Sequence, residues 1–257
     1  MGWLHEGHRA LMRQARASNA STVASIFVNP RQFNLPEDFT KYPRDEARDL
    51  AICEAEGVDL VFAPEPDEIY PPDFDTVVAV GAVARPLEGA ARPGHFDGVA
   101  TVVAILFDLV GADRAYFGQK DAQQVMVIRQ MARDLAIATE VVACPTVREP
   151  DGLALSSRNV HLSPAERAAA PVLHRALVAA RERWLAGERS ADALRAVMRA
   201  EIDAEPLADP DYVSVADAAT LAELDRVDGP ALLSLAVRFG STRLIDNEPL
   251  GVLPATT

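Results

Sequence analysis

Three short sets of polar residues are the first candidates for chemistry in this sequence. They are the pair His5 and His8, the lysine Lys120 after a glycine, and a Ser-Ser-Arg run at residues 156–158. Imidazole N–H groups at a helix N-terminus, an ammonium group and a serine–arginine turn can all bind phosphate oxygens. They can also stabilise the charge that develops on a departing pyrophosphate. The combination predicts a nucleoside triphosphate site and favours adenylate transfer.

His5 and His8 lie at positions i and i+3, which places both imidazoles on one face of a predicted helix. A pair with this spacing is more commonly packed or solvent-facing than functional. A zinc site would need a third ligand, and no other His/Cys cluster is near in the sequence. We therefore interpret the pair as phosphate-binding, because Lys120 and the run at residues 156–158 favour the same ligand.

The segments that must position these residues alternate between strand and helix. The predicted strands lie at residues 22–30, 59–64, 76–80, 114–118 and 139–147. The predicted helices include one with His5 and His8 and others at residues 45–57, 98–112 and 121–136. This alternation predicts an α/β fold with a Rossmann-like, doubly wound, mostly parallel sheet. Because ligands bind beyond the carboxyl ends of such strands, we expect NPRQF, FGQKD and PTVRE to share one site.

The second half of the sequence predicts a smaller α+β domain. A long Ala/Arg-rich helix is predicted at residues 163–187, and Ser190 is the expected N-cap of the next helix. Strands follow at residues 211–217 and 231–240. The predicted domains are therefore residues 1–162, with the nucleotide site, and residues 163–257.

Composition restricts the function classes. The 257 residues include 38 acidic residues against 25 Lys and Arg, a net charge of −13, which argues against general nucleic-acid binding. No apolar run approaches the roughly 18 residues of a membrane span, and no secretory signal is visible. Cys53 and Cys144 are too few for a disulfide framework, so we expect two reduced, packed thiols. A cytoplasmic protein is expected.

At the level of whole motifs, the sequence resembles the pantoate–β-alanine ligase family, the pantothenate synthetases. The matching segments between residues 1 and 159 include MGWLHEGHRALMRQA, SIFVNPRQF, RPGHFDGVATVV, RAYFGQKDAQQ and PTVREPDGLALSSRN. The family belongs to nucleotidyltransferases with an HxGH motif and a KMSKS-like loop, here SSRN. The resemblance implies that ATP and pantoate form an enzyme-bound pantoyl adenylate with Mg²⁺, and that the β-alanine amine attacks it to give pantothenate and AMP. It also implies a homodimer, pantoate binding by residues 1–162 and a C-terminal lid formed by residues 163–257.

The resemblance assigns roles to individual residues. The catalytic residues that hold the ATP phosphates would be His5, His8, Lys120, Ser156, Ser157 and Arg158. The remainder of the ATP site would include Met1, Gly118, Asp121 and Val147. The pantoate contacts would be Asn29, Gln32 and Gln124. A loop over the active site would contain Arg92 and His95, and Asp49 would be a Mg²⁺ ligand.

The family's first strand precedes the motif with which this sequence begins. We therefore expect a gap in the centre of the parallel sheet, and weak or no activity for this chain. Two other functions stay open: another HxGH nucleotidyltransferase that activates a different acid, and a nucleotide-binding or dimer-partner module without turnover. The glutamines of NPRQF and KDAQQ favour the ligase over the first of these.

Overall fold

The computed structural model describes residues 2–33, 39–40 and 42–251, and these residues form two units. The first unit takes the described residues up to Gln119 together with Gln123–Pro145, and the second takes Lys120–Ala122 and the described residues from Thr146 on. Residues 146–162 group with the second unit because they bond to its sheet, as Arg148 does to Asp246. The functional domain boundary between residues 162 and 163 stays a prediction.

Helices and short strands alternate along the first unit. The strands are β1 (Val23–Ser25), β2 (Leu60–Phe62), β3 (Arg114–Gly118) and β4 (Glu140–Cys144). The helices are α1 (Glu6–Ser18), α2 (Glu46–Ala55), α3 (Pro66–Ile69), α4 (Glu88–Ala91), α5 (His95–Val110) and α6 (Ala122–Asp134). The alternation confirms the predicted α/β class, and α5 begins three residues before its predicted start.

The four strands form two parallel ladders. Strand β1 pairs with β2, with Val23 opposite Leu60, and β3 pairs with β4, with Arg114 opposite Glu140. Within the described part of the chain, β1 and β3 share no ladder.

The strand predicted at residues 76–80 is wrong. This segment is extended but pairs with no strand among the described residues. Its neighbour is a helix, because the Val78 N–H donates to Thr101 Oγ1 of α5 at 2.9 Å. A run of valines fits a strand pattern, but a side-chain acceptor on a helix takes the hydrogen bond that a strand partner would need.

The second unit has helices on a three-stranded antiparallel sheet. The helices are α7 (Pro164–Ala169), α8 (Val172–Leu185) and α9 (Ala191–Asp203), and the strands are β5 (Asp209–Asp217), β6 (Ala231–Phe239) and β7 (Thr242–Leu250). The sheet order is β5-β6-β7. Strand β7 was not predicted, because its sequence, TRLIDNEPL, contains a proline and several polar residues. Ser190 is the N-cap of α9, as predicted, and accepts from the Ala193 N–H.

The single helix predicted at residues 163–187 is wrong. The chain forms α7 and α8, and the break falls at Ala170 and Pro171. Proline has no N–H to continue the hydrogen-bond ladder, and its ring clashes with the preceding turn. The start was predicted correctly, because Ser163 and Glu166 form a capping box at α7.

The core of the second unit lies between its helices and one face of its sheet. Fully buried side chains from α8, α9 and β6 meet there, including Leu173, Leu177, Leu194, Met198, Leu233 and Leu235. Such close packing gives a rigid support for the segments that bond to the sheet edge.

Cys53 and Cys144 are free and buried, and burial raises the pKa of both thiols. This confirms the predicted packed thiols. Among the helices that the structure describes, none has the length and apolar character needed to cross a membrane.

Candidate active site

His5 and His8 form a reciprocal cap at the start of α1. His5 is the N-cap residue, and its Nδ1 accepts from the Gly7 N–H at 3.1 Å. His8 Nδ1 accepts from the His5 N–H at 3.2 Å, and the two ring centroids are 4.1 Å apart. Both imidazoles therefore lie at a helix N-terminus, as predicted, although His5 itself precedes the helix.

This cap determines which ring nitrogen carries the proton. A neutral imidazole has one donor and one acceptor nitrogen, and both Nδ1 atoms act as acceptors here. The hydrogen-bond network thus assigns the proton of each ring to Nε2. Each histidine presents an N–H donor on the far side of its ring, at the positive end of the α1 dipole. That arrangement suits an anion such as phosphate.

The backbone just before His5 is anchored by α2. The Leu4 N–H donates to Asp49 Oδ1 at 2.8 Å, and Arg48 Nη2 donates to the Leu4 carbonyl at 2.8 Å. Leu4 is fully buried, and Asp49 is only 1 % exposed. Sequence reasoning missed Arg48, because its contact with Leu4 links residues far apart in the chain.

The geometry of Asp49 shows contacts that its predicted role as a Mg²⁺ ligand did not include. Its Oδ1 is already bonded to Leu4 and to Arg48 Nη1, at 3.3 Å, and the carboxylate is enclosed by protein. In the described part of the chain, no group of three or more His, Cys, Asp or Glu residues is placed to hold a metal ion. Asp49 thus holds the backbone just before His5, and its role as a Mg²⁺ ligand stays a prediction.

Asn29 shapes the NPRQF turn with all of its hydrogen-bonding groups. Its Nδ2 donates to the Gly98 carbonyl at 3.0 Å and to Gln32 Oε1 at 3.3 Å, while its Oδ1 accepts from Arg31 N–H and Tyr70 O–H. Burial raises the pKa of Tyr70 to about 12, so its hydroxyl remains a donor at neutral pH. A carboxamide has two donor hydrogens and two acceptor lone pairs, and Asn29 uses all four.

This saturation bears on the predicted pantoate contacts. Asn29 is 2 % exposed and has no hydrogen-bonding group left for a ligand, so its geometry supports a role in shaping the turn. Gly98 keeps the turn against α5, because a Cβ at this position would lie 2.2 Å from the Arg31 carbonyl oxygen.

Arg92 and His95 clamp the backbone of Gln32. His95 Nδ1 donates to the Gln32 carbonyl at 2.9 Å, and Arg92 Nη2 donates to the same oxygen at 3.1 Å. Arg92 Nη1 also donates to His95 Nε2 at 3.1 Å. Arg92 lies in the short connection between α4 and α5, as its predicted place in a loop requires, whereas His95 is the first residue of α5 and not a loop residue. The Gln32 carboxamide lies at the C-terminal end of the turn they hold.

The two glutamines of KDAQQ have different environments. Gln123 is buried; its Oε1 accepts from the Glu88 N–H, and its Nε2 donates to the Val83 and Pro86 carbonyls. It therefore fixes the chain before α4, a role that the sequence did not reveal. Gln124 is half-buried, and its carboxamide has no hydrogen-bond partner among the described residues.

Lys120 lies in a 3₁₀ turn, Gln119–Asp121, between β3 and α6. Its side chain is 14 % exposed, and Nζ lies 3.6 Å from Asp121 Oδ1. Gly118 is the last residue of β3, and a Cβ built there meets nothing within 4 Å. Open space beside Gly118 is compatible with its predicted place in a nucleotide pocket.

The serine–arginine run starts another 3₁₀ helix, Ser157–His161. Ser156 is its N-cap, and Ser156 Oγ accepts from the Arg158 N–H at 3.3 Å. The Arg158 side chain is exposed and has no protein partner within the described residues. Val147 lies before it on a hairpin, where the Val147 carbonyl accepts from Leu155 N–H. Met1, also predicted at the ATP site, lies outside the described residues.

Comparison with known proteins assigns this arrangement to a family. The family model described as pantoate-beta-alanine ligase matches residues 1–249. The pantothenate synthetase of Roseiflexus castenholzii is 65 % identical over 247 residues, which are 96 % of this chain and 89 % of that protein. The pantothenate synthetase of Dehalococcoides mccartyi is 54 % identical over 247 residues, 96 % of this chain and 92 % of the relative.

Solved structures agree with the sequence relatives. A crystal structure of pantothenate synthetase from Thermus thermophilus matches with a TM-score of 0.94 and 51 % identity, covering 96 % of this chain and 90 % of the other. A pantoate-beta-alanine ligase from Francisella tularensis, complexed with beta-gamma ATP and beta-alanine, matches with a TM-score of 0.76 and 34 % identity over 96 % and 86 % of the two chains. The chain belongs to the pantoate–β-alanine ligase family.

Proposed function

We propose that this chain joins pantoate to β-alanine in an ATP-dependent reaction that passes through a pantoyl adenylate. The observation that carries the proposal is 65 % identity to a pantothenate synthetase over nearly the whole chain. The paired Nε2–H donors of His5 and His8, at the N-terminus of α1, support it independently, because they suit a phosphate ligand.

In the first step, a carboxylate oxygen of pantoate attacks the α-phosphorus of ATP. The bond from that phosphorus to the bridging oxygen breaks, and pyrophosphate leaves with the electron pair. The side chains that would donate to the phosphates are those of the predicted catalytic set: His5, His8, Lys120, Ser156, Ser157 and Arg158. Their charges and hydrogen-bond donors would stabilise the developing negative charge.

Pantoate would be oriented by Gln32 and Gln124. Both carboxamides have N–H groups that donate to no other described residue, so they can hydrogen-bond hydroxyl and carboxylate oxygens. Asn29, Arg92 and His95 would act on the substrate through the Gln32 turn. Holding the carboxylate in line with the α-phosphorus makes the attack effectively unimolecular.

In the second step, the β-alanine amine attacks the acyl carbonyl of the adenylate. The carbon–oxygen bond to AMP breaks, AMP leaves, and the amine loses a proton to give the amide of pantothenate. No covalent bond to the protein forms in either step. The remaining part of the ATP site would include Met1, Gly118, Asp121 and Val147.

The proposal extends to the setting of the reaction. Mg²⁺ would accompany ATP on the phosphates, since magnesium commonly keeps few protein ligands. The donor groups of the described residues do not fit an all-protein site. A homodimer, a cytoplasmic location and a lid role for residues 163–257 follow from the family. The two buried free thiols are compatible with a reducing compartment.

The test is AMP release from ATP, D-pantoate and Mg²⁺, measured with and without β-alanine. AMP and pantothenate formation that depends on both acids would support the ligase. Pyrophosphate exchange with another acid but not with pantoate would favour a different nucleotidyltransferase. Nucleotide binding without any product would favour the non-catalytic module.

A further inference from the structure

We propose that two neighbouring residues of β7, Asp246 and Asn247, position both nucleotide-contacting segments of the second unit. Asn247 would fix the turn of Lys120, and Asp246 would fix the hairpin that leads into the Ser156–Arg158 run. The inference rests on the proposed function, because that function makes these two segments the ones that contact ATP. Neither β7 nor either residue was predicted from the sequence.

The first contact joins Asn247 to the backbone of the lysine turn. Asn247 is buried, and its Nδ2 donates to the Lys120 carbonyl at 2.8 Å. The direction of a long lysine side chain depends on the backbone from which it extends. A hydrogen bond to this carbonyl therefore restricts where the ammonium group can lie, without contact with Nζ itself.

The second contact is a buried two-bond ion pair. Arg148 Nη1 donates to Asp246 Oδ2 at 2.6 Å, and Arg148 Nη2 donates to Asp246 Oδ1 at 3.0 Å. The Asp246 side chain is only 1 % exposed. Arg148 Nη1 also donates to the Gly152 carbonyl at 3.1 Å, so the same guanidinium closes the turn of its own hairpin.

That hairpin carries the constraint to the serine–arginine run. Its arms are joined by Glu149 N–H to the Leu153 carbonyl at 2.8 Å and by Leu155 N–H to the Val147 carbonyl at 2.9 Å. Ser156 follows directly as the N-cap of the next 3₁₀ helix. The hairpin turn at Gly152 packs against His174 of α8, and a Cβ at Gly152 would lie 2.3 Å from the His174 ring.

Strand geometry explains how adjacent residues can serve two segments. Side chains alternate between the faces of a strand. Leu244 and Leu250 lie in the core with α8 and α9, and Glu248 pairs with Arg181 of α8. Asp246 lies on the same face of β7 as these residues. Asn247 lies on the opposite face and contacts the Lys120 turn.

The free-energy cost of burying the Arg148–Asp246 pair also favours a role in positioning the hairpin. Taking a carboxylate and a guanidinium out of water costs about as much as their attraction returns, so a buried pair stabilises little overall. Two directional bonds do define one geometry for the hairpin. Stability alone gives no reason to prefer this pair over apolar side chains of similar volume.

The strand supplies a matched control. Glu248 lies two residues beyond Asp246, and its Oε1 accepts from Arg181 Nη1 at 3.0 Å. Glu248→Gln weakens an arginine–carboxylate pair on the same strand without touching the Lys120 turn or the hairpin. Positioning predicts that Asp246 and Asn247 variants change catalysis, whereas Glu248→Gln does not.

The experiment uses the full chain with Asn247→Leu, Asp246→Asn and Glu248→Gln. Asn247→Leu should lower kcat for pantoate-dependent pyrophosphate exchange by about 10- to 100-fold, the scale for a catalytic group displaced by about 1 Å. KM for β-alanine should not change. Asp246→Asn should raise KM for ATP. Variants that lose Tm but keep wild-type kcat and KM would overturn the inference.

Two further measurements keep the inference testable apart from the proposed function. In hydrogen exchange, residues 146–161 should exchange faster in Asp246→Asn, and residues 119–121 faster in Asn247→Leu, than in Glu248→Gln. Unchanged exchange would overturn it even if wild-type protein makes no product. The double variant Arg148→Met/Asp246→Leu should regain stability but not turnover; recovery of both would make the pair purely structural.

Discussion

The Leu4 N–H donates to the buried Asp49 carboxylate at 2.8 Å, which ties α2 to the residue immediately before His5. Two adjacent contacts, Asp49 to the Leu4 N–H and Arg48 to the Leu4 carbonyl, hold both polar groups of one residue. The backbone that precedes the two imidazoles is thus held by residues of α2. Each unit has such an anchor, since β7 bonds to the lysine turn in the second.

Asp49→Asn should reduce adenylate formation and the free energy of unfolding together. One of its two oxygens becomes an NH₂ group, and the buried charge that accepts from Leu4 and Arg48 is lost, at a cost of about 1–3 kcal/mol. Asp45→Asn is the control, because Asp45 caps the same helix through the Arg48 N–H. If added Mg²⁺ restored activity to Asp49→Asn, the metal-ligand role would be supported.

Paired variants of His8 should separate its capping from its phosphate contact. An asparagine oxygen can take the place of Nδ1, so His8→Asn should keep most of the stability and lose about 100-fold in adenylation. His8→Gln should instead lose the cap, about 0.5–2 kcal/mol. Thermal unfolding and pyrophosphate exchange measure the two effects, and full activity of His8→Asn would refute the Nε2–H donor.

Gln123→Ala and Gln124→Ala should have different effects on stability and on the KM for pantoate, although the two residues are adjacent. Gln123 makes three buried hydrogen bonds, so its removal should cost roughly 1–3 kcal/mol of stability. Gln124 has no described partner, so Gln124→Ala should leave stability within about 0.5 kcal/mol and raise KM for pantoate. A stable Gln123→Ala with raised KM for pantoate would reverse the assignment.

These contrasts show what the sequence could and could not reveal. Motifs whose residues are close in the chain were predicted correctly: the HxGH start of α1, the N-caps at Ser163 and Ser190, and strand β3 to the residue. Local hydrogen bonds and periodicity determine these features. Sequence reasoning also chose Gln124 over its neighbour through a resemblance, without any local signal that distinguishes the two.

Most of what the sequence did not reveal depends on long-range contacts, whereas the break in the helix predicted at residues 163–187 is local, at Pro171. The contact of Asp49 was missed because an acidic residue alone does not show that the Leu4 N–H, far away in the chain, donates to its Oδ1. The segment at residues 76–80 has a strand pattern, but Thr101 of α5 takes its N–H. Strand β7 was missed because polar residues such as Asp246 and Asn247 weaken its strand pattern. Their hydrogen-bond partners lie in other segments and are not visible in the sequence.

Lys120→Ala should leave folding nearly intact and remove most adenylation. The Nζ of Lys120 has one described ion-pair partner, Asp121, at 3.6 Å, and partly exposed pairs contribute at most about 1 kcal/mol. Its backbone carbonyl, which Asn247 holds, is unchanged by the substitution. Lys120→Arg is the companion variant that keeps the charge. Normal turnover of Lys120→Ala would overturn the role proposed for this side chain.

The half-buried His174 should make the protein less stable in mild acid. Burial lowers the pKa of His174, and the nearby Arg148 and Arg181 lower it further against the opposite effects of Asp246 and Glu248. Its Nδ1 is buried without a described hydrogen-bond partner. The unfolded chain therefore binds a proton near the ordinary value of about 6.5, whereas the folded protein binds it only at lower pH.

Below the ordinary histidine pKa of about 6.5, the unfolded state binds more protons than the folded state. The free energy of unfolding should therefore fall as pH falls below about 6.5, and His174 should not affect it at higher pH. His174→Gln, which does not titrate, should flatten this slope in urea unfolding measured from neutral pH downwards. His161→Gln replaces an exposed histidine of the same unit and is the matched control. Because His174 packs against the Gly152 turn, the acid loss should also speed hydrogen exchange in residues 146–161. An unchanged slope in His174→Gln would mean that other groups, such as carboxylates, cause the acid sensitivity.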